Sequence, residues 1–96
     1  MKIPTNIIMD SKPHPVNWVR SSEGHPSSGS YCSYYETINL HPLTEGLTEE
    51  LQSETLLHEI LERINNVYEL HLEHRKISTI SSQLFAAMRT NKLNFS

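Results

Sequence analysis

One cysteine, eight lysines and arginines and no long apolar run set the first limits on this chain of 96 residues. A lone Cys32 cannot close an internal disulfide, and a small domain without such a staple fits a reducing compartment. The basic residues are scattered and the net charge is -3, which leaves no electrostatic footprint for a phosphate backbone. Nucleic acid is therefore not expected as a ligand. No segment approaches the roughly 20 consecutive apolar residues of a membrane span, and the apolar part of MKIPTNIIMDSKPHP is too short for a signal peptide. The expectation is a soluble, cytoplasmic protein without a membrane partner. Length excludes a second core, since 96 residues at 36% hydrophobic content suffice for one small domain.

What is present changes character near Pro42. Residues 1–42 read as strands and loops and residues 43–96 as two helices, an α+β pattern. Thr5 to Met9 and Val16 to Val19 are short β-prone runs separated by SKPHP, whose two prolines argue against an unbroken ladder. Residues 21–30, SSEGHPSSGS, have loop composition and are expected to be flexible. Tyr31 to Leu40, YCSYYETINL, is aromatic and β-branched and reads as a single strand ended by His41-Pro42. The expected sheet is small and antiparallel, with about three strands and Trp18 as a core anchor.

A helix is predicted from Thr48, where a threonine cap precedes Glu49 and Glu50 in the first turn. Its apolar positions, Leu51, Leu57, Ile60, Leu61, Ile64, Val67 and Tyr68, fall on one arc at about 100° per residue. His58 and Glu62, about 40° apart, lie roughly opposite the centre of that arc. A second helix is predicted over 76–90 from Ile77, Ile80, Leu84, Phe85 and Met88, with Leu93 and Phe95 folding its end onto the core. The junction LHLEHRK carries His71 and His74, and an antiparallel helical hairpin would return one of them over the first helix.

The segment ETLLHEILERI, Glu54 to Ile64, gives this geometry a chemical meaning. Ligands at i and i+4 stand one above the other on a helix and can grip one ion, while a glutamate directly after the first points slightly aside toward bound water. His58 and Glu62 are then metal ligands, Glu59 a general base, and the junction supplies the third ligand. Two histidines and a glutamate are an ordinary set for hydrolytic zinc, which keeps a fourth position for water and lowers its pKa to about 7. The same residues are also what a solvated acidic helix face presents, with Glu62 and Arg63 as a charge pair.

From Glu54 to Leu93, ETLLHEILERINNVYELHLEHRKISTISSQLFAAMRTNKL, the chain resembles the C-terminal half of short phage and prophage proteins of the minimal zincin type. These pair a TLLHEIxH-like helix with a downstream histidine just before a second helix. The resemblance implies a zinc metallopeptidase-like protein with His58 as first ligand, Glu59 as base and His74 as third ligand, His71 being its rival. It departs at Glu62, which stands where the HExxH pattern has its second histidine. A carboxylate there makes the bound water less acidic and hydrolysis slower. The resemblance further implies a protein or peptide segment held in extended form along residues 34–40, in the strand before the metal helix. The competing expectation is a non-enzymatic protein that docks a partner on the same scaffold. An exposed edge strand would also permit a homo-oligomer.

Overall fold

The computed structural model describes residues 3–18, 29–32, 36–40 and 48–93, and the following concerns these residues. Predicted flexibility at residues 21–30 falls mostly outside them, as does Phe95. The fold is α+β, with strands β1 (Asn6–Met9), β2 (Lys12–Trp18), β3 (Gly29–Cys32) and β4 (Thr37–Leu40) followed by helices α1 (Glu49–Val67) and α2 (His74–Thr90). Among the described residues no helix is long and apolar enough to cross a membrane.

The hairpin β1–β2 turns on Asp10 and Ser11, whose φ values of 51° and 63° are the pair of positive angles that a two-residue type I′ turn demands. Pro13 and Pro15, expected to separate two strands, lie inside β2. The pairing pattern explains why this is tolerated. In an antiparallel ladder every second pair exchanges no backbone bonds, and Pro13 and Pro15 occupy such positions opposite Ile8 and Asn6. Their nitrogens face the other edge of β2, where pairing begins only at Val16. His14 between them is buried, with its Nδ1 at 2.9 Å from the Lys12 carbonyl oxygen.

Tyr31 to Leu40 is not one strand. It contributes β3 and β4, which pair antiparallel with Cys32 opposite Thr37. Glu36, at φ 53°, lies in the turn between them, in a stretch whose sequence has no glycine, proline or asparagine to mark it. The sheet order is β1-β2-β4-β3. Because β3 takes the outer position, the hairpin brings β4 back along β2 in β2's own direction, so this pair is parallel and the sheet mixed. β4 is therefore bonded on both sides, and among the described residues the outer strand nearest α1 is β3.

Helix α1 starts as expected: the Thr48 hydroxyl accepts the Leu51 N–H at 3.1 Å, with Glu49 and Glu50 in the first turn. It is covered on two sides, by β3 and β4 on one and by α2 on the other. Its sheet-facing stripe runs Gln52, Thr55, Leu56, Glu59 and Arg63, all buried, so the helix buries two polar turns that an apolar-arc reading places in solvent. Val16, Ile38, Leu40 and Leu56 form the core, with Ile3, Ile7, Met9, Tyr31 and Ile60 packed around it. Outside that stripe α1 also buries Ser53 and Leu57, and α2 buries Ile77, Ser81 and Phe85. Trp18 is no core anchor, being 51% exposed at the end of β2, and Leu93 is 57% exposed rather than folded onto the core.

At Gly29 the backbone of β3 lies close against α1. A Cβ there would stand 2.7 Å from the Thr55 Cγ2 and 2.7 Å from the Asn39 carbonyl oxygen. Gly29→Ala is expected to cost about 1–3 kcal/mol by overpacking, read as a lowered urea midpoint. An unchanged midpoint would mean that β3 moves off the helix without loss.

Candidate metal centre

Three side chains from two helices meet at the mouth of the α1–α2 hairpin. His58 and Glu62, one turn apart on α1, bring Nε2 and Oε1 to 3.3 Å. His74 reaches the same Glu62 oxygen through Nδ1 at 3.1 Å. The two imidazoles meet edge to face with centroids 4.8 Å apart. One ligand atom from each residue lies within 4.8 Å of the others. His74 is the first residue of α2 rather than part of the preceding turn, two positions before the predicted start at Lys76. Its rival His71 stays in the turn at φ 57°, exposed and outside this group.

The donor set fits a tetrahedral divalent ion. Zinc–nitrogen and zinc–oxygen bonds of about 2.0–2.2 Å place neighbouring ligand atoms about 3.3 Å apart. The two separations that involve Glu62 already match that edge, at 3.3 and 3.1 Å. Closing the histidine pair falls to His74, whose side chain is 76% exposed, while that of His58 is 17% exposed.

Glu59 sits differently from its neighbours. One residue after His58, it turns toward β3 and is 7% exposed, with Oε1 at 4.0 Å from the His58 Nε2. Burial first and the charge of Glu62 second raise its pKa to about 7. Burial also holds the His58 imidazole below its ordinary value, against the opposing pull of Glu62, which keeps the ring neutral and able to bind a metal at pH 7. These residues open onto a cleft of about 400 Å³ bounded by Gly29 and Tyr31 of β3 and by Asn66 and His74.

Behind the cleft, Arg63 donates from Nη1 to Asp10 at 2.8 Å, and the Tyr68 hydroxyl donates to the other Asp10 oxygen at 2.6 Å. Hydrogen bonds from Tyr68 and then Arg63 hold the Asp10 carboxyl below the usual carboxylate range. The turn of the β1–β2 hairpin is thus fastened to the C-terminal end of α1. Arg63 is no solvated partner of Glu62, being buried and committed to Asp10. The long separation between residues 10 and 63 hides this pairing from any local reading.

The expected peptide-holding strand needs restating in this setting. Residues 37–40 have hydrogen-bonded neighbours on both sides and no edge to offer, while residues 34 and 35 lie outside the described set. Among the described residues, the outer strand that borders the cleft is β3. No protein-family model, no curated protein and no solved structure matches this chain.

Proposed function

We propose that this protein is a zinc-dependent, zincin-like metallopeptidase in which His58, Glu62 and His74 hold the metal and Glu59 is the general base. The observation that carries this reading is the convergence of three ligand atoms within 4.8 Å, the two separations to Glu62 matching a tetrahedral edge, beside a buried carboxylate whose pKa is about 7. Zinc in this site would supply Lewis-acid polarisation and an open position for water with its pKa lowered to about 7. The rest belongs to the chain. A carboxylate that titrates near neutrality is divided between its two forms, so Glu59 can take a proton from the attacking water and return it to the leaving amine. A substrate segment in extended form pairs with the outer edge of β3, which borders the same cleft.

The test is metal content of the protein purified without a histidine tag. One equivalent of zinc is expected in the wild type, and none after dialysis in His58→Ala, Glu62→Ala or His74→Ala. A wild type without stoichiometric metal, or variants that keep it, would overturn the reading. Glu62→His, which restores the commoner ligand, is expected to raise peptidase activity because a neutral ligand leaves more positive charge at the water.

A second reading, a docking protein with a structural metal, draws on the openness of the site. One strand and two helix ends form its only described walls, and His74 is largely exposed. Zinc binding without any turnover in either the wild type or Glu62→His would favour it.

A further inference from the structure

The third ligand comes from a stretch of chain that has little of its own to hold it. Between α1 and α2 lie Tyr68 to Glu73, of which all but Leu72 are exposed. Two residues there, Glu69 and His71, take positive φ angles of 52° and 57° without being glycine. Such a turn has many ways to be built; Tyr68 anchors its start to Asp10, and Leu72 is its one half-buried side chain. A set of hydrogen bonds from one residue of α1 makes the choice.

That residue is Asn65. Its backbone carbonyl accepts the Leu70 N–H at 3.1 Å, the long bond of a Schellman helix end with Glu69 at the left-handed position. Its side chain then reaches further into the turn. Nδ2 donates to the Leu72 carbonyl oxygen at 3.2 Å, and Oδ1 accepts the Leu72 N–H at 2.9 Å. The amide thus satisfies both backbone groups of one residue, as a neighbouring strand would, and a flipped amide would set donor against donor. Leu72 stands two residues before His74. Asn65 itself follows His58 and Glu62 at i+7 and i+3, so ligand, ligand and amide form one stripe along α1.

We propose that Asn65 is the positioning residue of the metal centre, closing the 68–73 turn through Leu72 so that His74 is delivered over His58 and Glu62. This rests on the metal-binding reading above. Asn65 touches no ligand atom, and its whole effect on the metal passes through the placement of His74. Without the amide, the turn samples other conformations, and the ordering that Asn65 supplies in advance must be met when the metal binds. Groups that hold a metal ligand in place typically contribute 10–100-fold in affinity. A loss in that range is expected here.

The experiment is a competition titration of zinc against a chromophoric chelator, with cobalt(II) absorption as a second readout. It uses the full chain as wild type, Asn65→Ala, Asn65→Asp, His74→Ala and the double variant Asn65→Ala/His74→Ala. Asn65→Asp keeps the shape and the acceptor while setting a carboxylate oxygen against the Leu72 carbonyl, so it tests the donor even if the alanine variant folds poorly. Both Asn65 variants are expected to weaken zinc about 10–100-fold at unchanged stoichiometry, and to shift the cobalt spectrum toward that of His74→Ala. In the His74→Ala background, Asn65→Ala is expected to change the affinity no further, because the residue through which it acts is gone. A merely structural role would weaken both backgrounds alike. Equal losses in the two backgrounds, or wild-type affinity in both Asn65 variants, would overturn the proposal while leaving the metal centre in place. A wild type that binds no zinc would overturn both.

Discussion

Glu59→Gln is expected to stabilise the metal-free protein by up to roughly 3 kcal/mol at pH 8 while removing hydrolysis. The magnitude follows from a rise in pKa from 4.5 to about 7, each unit being worth about 1.4 kcal/mol. The sign is opposite to that of a salt-bridged carboxylate. The folded form holds the Glu59 proton more tightly than the unfolded chain, so between about pH 4.5 and 7 the folded state binds more protons and loses stability as pH rises. That contribution is fully present below pH 4.5 and gone once the group ionises above 7. Glutamine is neutral and of the same shape, so the variant lacks this slope. His58 works the other way, since its lowered pKa withdraws stability as pH falls below the ordinary histidine range. Comparing variant with wild type at each pH separates the two. The measurement is a set of urea midpoints in chelator at pH 5 and pH 8; equal pH dependence in both proteins would show that Glu59 is not the group being titrated. The same variant should keep its zinc and lose turnover, since the residue that moves the proton is absent and the ligands are not.

Zinc itself should produce a larger effect. A ligand that binds only the folded state at a thousand times its Kd adds about 4 kcal/mol. In a domain of this size that is a rise in Tm of roughly 15–30 °C. His58→Ala, Glu62→Ala and His74→Ala are each expected to lose most of the rise, whereas Glu59→Gln is expected to retain it. Thermal scans with and without zinc read this directly. A shift of equal size in the wild type and in His58→Ala would place the bound ion elsewhere. The dependence should fade on acidification, as protons compete for both imidazoles.

The grouping of His58, Glu62 and a histidine from the helix junction was legible in the sequence because its geometry is local. His58 and Glu62 lie one helical turn apart, and a single reversal of the chain returns the 71–74 junction over them; periodicity leaves His71 and His74 both open, and only the resemblance favours His74, the residue that the structure brings beside Glu62. The cap at Thr48 was legible for the same reason. What escaped depends on partners far along the chain. Glu59 and Arg63 look like surface charges on a helical wheel, and only the sheet turns their face of α1 into an interior. Pro13 and Pro15 look like strand breakers until the register with β1 shows that their missing donors are not needed. The division of Tyr31 to Leu40 into two strands rests on a turn without punctuation. Asn65 was passed over because nothing in its neighbours marks an amide whose role is to bond seven residues downstream.

The same contrast between near and far orders the assembly of the site in time. All three residues of the candidate metal site lie within residues 58–74, on a helical hairpin built from contacts of short sequence separation, which favour fast folding. The cleft beside Glu59 is lined by Gly29 and Tyr31 of β3, some 30 residues away, and the tie from Asp10 to Arg63 spans more than 50. Contacts of such separation come late, after the chain has closed its largest loops. The three residues of the candidate site are thus brought together by the hairpin alone, while the surroundings that raise the Glu59 pKa belong to the complete fold. On the proposed reading, the proton affinity that would suit Glu59 to catalysis depends on the docked sheet, so the site would become competent for chemistry only as the fold closes.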